Sequence, residues 1–215
     1  MRINQFVAQA TGMSRRKADR VVSENRVEIN RASATTGSRV SADDLVTLDG
    51  KPLVMPASKQ TIILNKPIGY VCSRDGQGSK TIYELLPEEL RTLKPVGRLD
   101  KDSSGLLLLT NDGVLAHKLT HPSFEKEKVY LVDLDKDLSE EDKQNIEQGV
   151  KLDDGPSKLG IEGNSNSWTI TMHEGRNRQI RKTFEALGYQ VTKLHRTEFG
   201  SYKLVGINVG NYKIL

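Results

Sequence analysis

The chain carries a single cysteine, Cys72, among its 215 residues. That excludes an intramolecular disulfide and a zinc site built from cysteines. Cys72 is best read as a small apolar residue near a strand end. Aromatic residues are few, at 5%, and no long low-complexity tract interrupts the sequence, which fits an ordinary globular chain. No apolar run approaches the length of a membrane span, and the opening stretch MRINQFVAQATGMSRR lacks the apolar core of a signal peptide. A cytoplasmic protein without membrane association is therefore expected. The excess of positive charge is also modest, 32 basic against 28 acidic residues, with an isoelectric point near 9.1. Such a balance identifies a nucleic-acid binder only if the charge is clustered.

It is clustered. Between residues 14 and 31 there are six basic residues against three acidic ones. From 174 to 203 there are seven against three. The first cluster falls on the second of two short helices expected at 3–12 and 14–25, where Ser14 is a plausible N-cap and Arg15, Arg16, Lys17 and Arg20 follow it. A strand at 26–30 and another at 44–48 come next, the latter ending at the turn signal Asp49-Gly50. Residues 51–60, KPLVMPASKQ, hold two prolines and read as a linker between a module at 1–50 and a domain at 61–215.

In that domain, strands are expected at 61–64, 106–109, 129–134, 167–173 and 191–197. Helices are expected at 114–121, at 139–149 behind the cap Ser139, and at 177–187 with Gly188 as the stop. Strands and helices interleave without a steady βαβ rhythm. The fold class is thus α+β, with a largely antiparallel mixed sheet following a small helix-helix-strand module.

The run GRLDKDSSGLLLLTNDG, residues 97–113, puts Arg98-Leu99-Asp100 directly before the apolar stretch Leu106–Leu109. A buried strand fixes the backbone beside it, so Asp100 is a candidate catalytic carboxylate. Taken alone, a loop acid more often solvates or caps. The whole string closely resembles the signature of the RNA pseudouridine synthases, in particular the ribosomal RNA branch called the RsuA/RluB/RluF group, and GRLDKDS, EKEKVYLV and TKLHRT look most like its RluF subgroup. Residues 1–50 resemble the RNA-binding module first known from ribosomal small-subunit protein four. They depart from it at Asn30-Arg31, where Asn-Gly is usual, so another turn geometry is expected there.

The resemblance implies an isomerase that turns uridine into pseudouridine with a single catalytic aspartate, Asp100, and no cofactor or metal. In HEGRNRQIRKTFEALGY, residues 173–189, it implies that Arg181 pairs with a buried Asp100. Arg178 would share its helix face at i and i+3. It implies that Tyr130 stacks on the target uracil, with Lys128 on the same strand face. Leu194 would pack on the opposite side of the base, with Lys193 and Arg196 beside it in the last motif. Arg98 would fill the space that a flipped base vacates. The motif Asn65-Lys66-Pro67-Gly69 would be structural. Arg15, Arg16, Lys17 and Arg20 would contact RNA phosphates. The expected partner is ribosomal RNA, most of all that of the large subunit, with transfer RNA as a second candidate, and the protein is expected to be a monomer. The competing reading is an RNA-binding ribosome-assembly factor with an inactive synthase domain.

Overall fold

The computed structural model describes residues 1–56 and 58–215. The chain divides into two compact units, Met1–Gln60 with Glu88–Lys94, and Thr61–Pro87 with Pro95–Leu215.

In the first unit, α1 (Ile3–Thr11) and α2 (Arg15–Ser23) precede a four-stranded antiparallel sheet. Its strands are β1 (Val27–Ile29), β2 (Ala32–Ser33), β3 (Val46–Leu48) and β4 (Lys51–Pro52), in the order β2-β1-β3-β4. Ser14 caps α2, its hydroxyl accepting from the Lys17 amide at 3.2 Å. Ala18, Val21 and Val22 turn inward onto Ile3, Val7 and Val27, which leaves Arg15, Arg16, Lys17 and Arg20 exposed.

Two expectations are corrected here. Asn30 and Arg31 have φ of 52° and 71°, so the β1–β2 turn keeps the left-handed conformation at both central residues although Arg31 stands where glycine is usual. The Asn30 side chain holds it, accepting from the Leu45 amide at 2.9 Å and donating to Asp44 at 2.8 Å. Lys51 and Pro52, read as the start of a linker, form β4, because Asp49-Gly50 closes a hairpin with β3. Ala57, also within that linker, lies outside the described residues. The segment Glu88–Lys94 joins this unit without any local signal for it; Lys94 Nζ donates to the carbonyls of Met13 at 2.9 Å and Ala8 at 3.3 Å.

The second unit is built on strands β5 (Thr61–Lys66), the Pro95 end of β6 (Lys94–Pro95), β7 (Ser104–Thr110), β8 (Lys128–Leu134), β11 (Gly160–Asn164), β12 (Ser167–Met172), β13 (Val191–Phe199), β14 (Tyr202–Lys203) and β15 (Tyr212–Ile214). They form one nine-stranded mixed sheet whose path runs β11-β12-β8-β13-β7-β5-β15. The hairpin β9 (Val150–Leu152) and β10 (Gly155–Ser157) stands beside it. Helices α3 (Gly113–Thr120), α4 (Glu140–Gln148) and α5 (Gln179–Ala186) complete the unit. Asp112 caps α3 and Ser139 caps α4 through side-chain oxygens.

Both faces of β7 are covered, so it reads as a continuous apolar run. Leu106, Leu107, Leu108 and Leu109 have no exposed surface, worth roughly 1.5–3 kcal/mol each relative to exposure. Leu106 and Leu108 meet Ile63, Val96, Leu119 and Phe199. β7 and β13 run parallel, while the other neighbours on the path are antiparallel. This pairing explains the glycine in Ser-Gly-Leu-Leu: a Cβ on Gly105, whose φ is 103°, would collide with the Arg196 backbone. No helix among the described residues is long and apolar enough to cross a membrane.

Candidate active site

The β7–β13 junction opens into a cleft of about 740 Å³, lined by Asp100, Lys128, Tyr130, Arg178, Leu194 and Arg196 among others. Asp100 sits one turn before β7. Its backbone is fixed from below by Lys66, the last residue of β5, which is completely buried. Lys66 Nζ donates to the carbonyls of Ser103 at 2.7 Å, Asp100 at 3.0 Å and Pro67 at 3.0 Å. Desolvation lowers the lysine's pKa, and the nearby charges of Asp100 and Asp102 oppose that shift. Leu99 is anchored in turn by Cys72, whose thiol donates to the Leu99 carbonyl at 3.3 Å and accepts from its amide at 3.4 Å. Burial pushes the Cys72 thiol up. The reading of Lys66 as structural therefore acquires a definite form: a cation that ties two carbonyls of the Asp100–Ser103 turn to the Pro67 carbonyl after β5.

The Asp100 side chain is 38% exposed, so it is a carboxylate at the lip of the cleft and not a buried one. Its nearest cation also differs from expectation. Arg178 Nη1 lies 3.7 Å from Asp100 Oδ2. Arg181 instead reaches Asp102, with Nε 3.2 Å from Oδ2 and Nη2 donating to the Asp102 carbonyl at 2.8 Å, while its Nη1 donates to the Val191 carbonyl at 2.7 Å. The contact to Oδ2 is an ion pair without hydrogen-bond geometry, since Nε has no hydrogen-bond partner.

Arg178 is not on the helix. It precedes α5 with φ of 52°, a left-handed conformation that swings its guanidinium back onto Asp102, where both Nη atoms donate at 3.1 Å. Asp102 is thus the shared counter-ion of the two arginines. Burial works against its ionisation. The Arg178 hydrogen bonds and the charges of Arg181 and Arg178 outweigh burial and hold the carboxyl below its usual range. In the sequence, Asp102 is legible only as a second acid two residues after Asp100.

Tyr130 and Arg196 are direct partners in the β8–β13 register. Both are buried, and Arg196 Nη1 is 3.5 Å from the tyrosine hydroxyl. Arg196 Nε donates to the Leu106 carbonyl at 2.8 Å, and its guanidinium lies 5.0 Å from the centroid of the Phe199 ring. Arg196 therefore forms the floor behind Tyr130. Leu194, two residues earlier on β13, shares its face and lines the same cleft.

Lys128, expected on the substrate, has its ammonium held by three carbonyls at 3.1 Å: those of Lys126, His173 and Glu174. Burial and the charge of Arg196 lower its pKa. It braces the strand end against the segment that leads to Arg178. Lys193, also expected there, pairs with Asp133 at 3.3 Å and does not line the cleft. Arg98 is exposed at the rim.

Two residues of the 173–189 run carry more than their motif suggested. Arg176 clamps the β9–β10 hairpin, donating to the Pro156 carbonyl at 2.7 Å and to the Asp154 side chain and carbonyl at 2.9 Å. Gln179 is buried, accepts from the Arg176 amide at 3.2 Å and donates to Ser157 at 3.1 Å.

Residues 60–186 match the sequence model of a family described as RNA pseudouridylate synthase. A protein of Aquifex aeolicus named an uncharacterized RNA pseudouridine synthase is 38% identical, with 100% of this chain and 90% of that one aligned. Ribosomal large subunit pseudouridine synthase B of Bacillus subtilis is 35% identical over 100% of this chain and 91% of its own length. The dual-specificity RNA pseudouridine synthase RluF of Escherichia coli is also 35% identical, over 100% of this chain and 75% of that protein. A crystal structure of a pseudouridylate synthase, 32% identical, superposes with a TM-score of 0.74 over 100% of this chain and 96% of the other.

Proposed function

This chain belongs to the RNA pseudouridylate synthase family and is an isomerase that converts uridine in RNA to pseudouridine, and from that premise we propose that it acts on ribosomal RNA of the large subunit with Asp100 as its catalytic carboxylate. The relatives named for the large ribosomal subunit support the substrate. Transfer RNA is the second candidate. The reaction breaks the bond from N1 to C1′, turns the base, joins C5 to C1′, and moves the C5 proton off as N1 regains one. Atoms balance without a co-reactant, so what the site must supply is one carboxylate, a dry slot for the base and counter-charge.

The observation that carries the assignment is the position of Asp100. Its carboxylate is open to the cleft, with Arg178 at 3.7 Å and a backbone held by Lys66. A carboxylate in that position can act as nucleophile or base. Tyr130 and Leu194 form the walls between which a uracil ring would sit, and Arg196 backs the tyrosine. Arg98 at the rim would occupy the stack that the flipped nucleotide leaves. The N-terminal unit would add phosphate contacts through α2, in a monomer working in the cytoplasm.

Asp100→Asn tests this. Tritium release from labelled uridine in a large-subunit ribosomal RNA transcript should fall to background while RNA binding stays within a few-fold, because phosphate contacts and not this carboxylate supply affinity. Turnover near the parent level would sink the assignment.

A further inference from the structure

The cleft is longer than the reaction centre. Beside Asp100 and Tyr130, its lining includes Thr120, His121, Pro122 and Lys126, at the corner that follows α3. At about 740 Å³ it lies in the upper part of the range, roughly 300–1,000 Å³, that accepts drug-sized ligands. A single pyrimidine ring does not need that space.

This corner carries an unusual surface. Of the four phenylalanines, Phe184 and Phe199 are buried and Phe6 packs partly into the N-terminal core, whereas Phe124 is 42% exposed. Two exposed histidines adjoin it. The His117 and His121 rings are 4.8 Å apart, and Phe124 meets them edge-on at 5.9 and 6.2 Å. The turn that presents them is fixed by its own bonds. His121 Nδ1 accepts from the Ser123 amide at 3.3 Å, Pro122 starts a short 3-10 turn, and the Phe124 and Glu125 amides donate to the carbonyls of His121 and Pro122. Lys118 and Lys126 lie on either side in sequence. An exposed aromatic cluster that meets the cleft through His121 has the make-up of a base-stacking platform flanked by phosphate-binding cations.

We propose that His117, His121 and Phe124 form a subsite that stacks an unpaired base flanking the target uridine. This rests on the reading of the cleft as the uridine site. Flipping the target breaks its stacking with its neighbours, and an aromatic face outside the catalytic pocket lets one neighbour recover stacking against protein. Stacking tolerates any base, so the subsite selects an unpaired strand and not a sequence.

The test uses the full chain and a large-subunit ribosomal RNA transcript carrying scattered 5-iodouridine, which crosslinks to a stacked aromatic ring on irradiation. The crosslinked peptide should contain Phe124 or His121. Phe124→Ala should raise KM by roughly 5- to 150-fold, the equivalent of ~1–3 kcal/mol for one stacked base, with kcat little changed. Phe124→Trp should keep both parameters near the parent values. Crosslinks confined to other segments, together with an unchanged KM for Phe124→Ala, would overturn the proposal. A parent enzyme that crosslinks at Phe124 but forms no pseudouridine in this transcript would support the subsite while removing the proposed substrate.

Discussion

Lys66 Nζ and the backbone carbonyl of Asp100 are 3.0 Å apart, and the lysine has no exposed surface. The strand end of β5 thereby fixes the position of a carboxylate 34 residues further along the chain. Lys66→Met should leave three carbonyls short of a donor. An unpaired buried polar group costs about 1–3 kcal/mol, so thermal unfolding should occur at a visibly lower temperature. A small displacement of Asp100 should lower kcat on the order of 10²-fold with a smaller effect on KM. A variant that melts earlier but turns over normally would restrict Lys66 to stability.

Arg178 and Arg181 should separate into two roles. Arg181 is the more enclosed, and its bonds to the Val191 and Asp102 carbonyls tie α5 to β13 and to the turn before β7. Arg181→Met should therefore cost about 1–3 kcal/mol of stability. Arg178 is 43% exposed, so Arg178→Gln should change stability by only ~0–1 kcal/mol yet lower kcat, since it removes the cation nearest Asp100. Denaturation midpoints and single-turnover rates on both variants decide it; equal effects on both measurements would contradict the division.

Asp102 offers a pH test. Its folded-state pKa lies below the ordinary value of 3.8, so between those two values the unfolded chain binds more protons than the folded one. Its stabilising contribution is complete above about pH 3.8 and is lost as the pH falls from there through the folded pKa. With the side chain 47% exposed, the effect is screened and amounts to about 1 kcal/mol or less. Asp102→Asn should lower stability at neutral pH by that amount and flatten the acid limb of the stability curve. Identical acid limbs for the two proteins would show that the arginine pair contributes nothing through Asp102.

Much of this architecture is readable in the sequence. The caps Ser14 and Ser139 act within three residues, and the apolar run Leu106–Leu109 marks its own strand, so helices and central strands fall where local pattern puts them. The position of Asp100 beside that run is legible for the same reason. What stays hidden depends on distant partners or on single backbone angles. Nothing near Lys66 announces that its ammonium meets the carbonyl of Ser103, and nothing near Arg178 announces a φ of 52° that carries it to Asp102. The β9–β10 hairpin and β11 escape a reading by pattern because residues 150–164 form short, glycine-containing and weakly alternating segments.

The basic face of α2 is testable through salt. Arg15, Arg16 and Lys17 are exposed, and Arg20 is partly engaged by Glu24 at 2.8 Å. Replacing Arg15, Arg16 and Lys17 by Gln should lower the slope of log affinity against log salt by roughly 0.7–0.9 for each phosphate no longer neutralised. Titrations at several ionic strengths measure it. An unchanged slope would reduce this helix to a solvated surface.

The parallel pairing of β7 with β13 also governs the order in which the enzyme comes into being. Ser104 and His195 are 91 residues apart in the chain, yet their side chains meet at 2.9 Å. During synthesis, the strand that follows Asp100 leaves the ribosome long before the strand that carries Leu194 and Arg196. Closing so large a loop costs entropy before any contact repays it. A fragment ending before Val191 lacks Leu194, Arg196 and Phe199, the part of the cleft's lining that faces Tyr130 from β13.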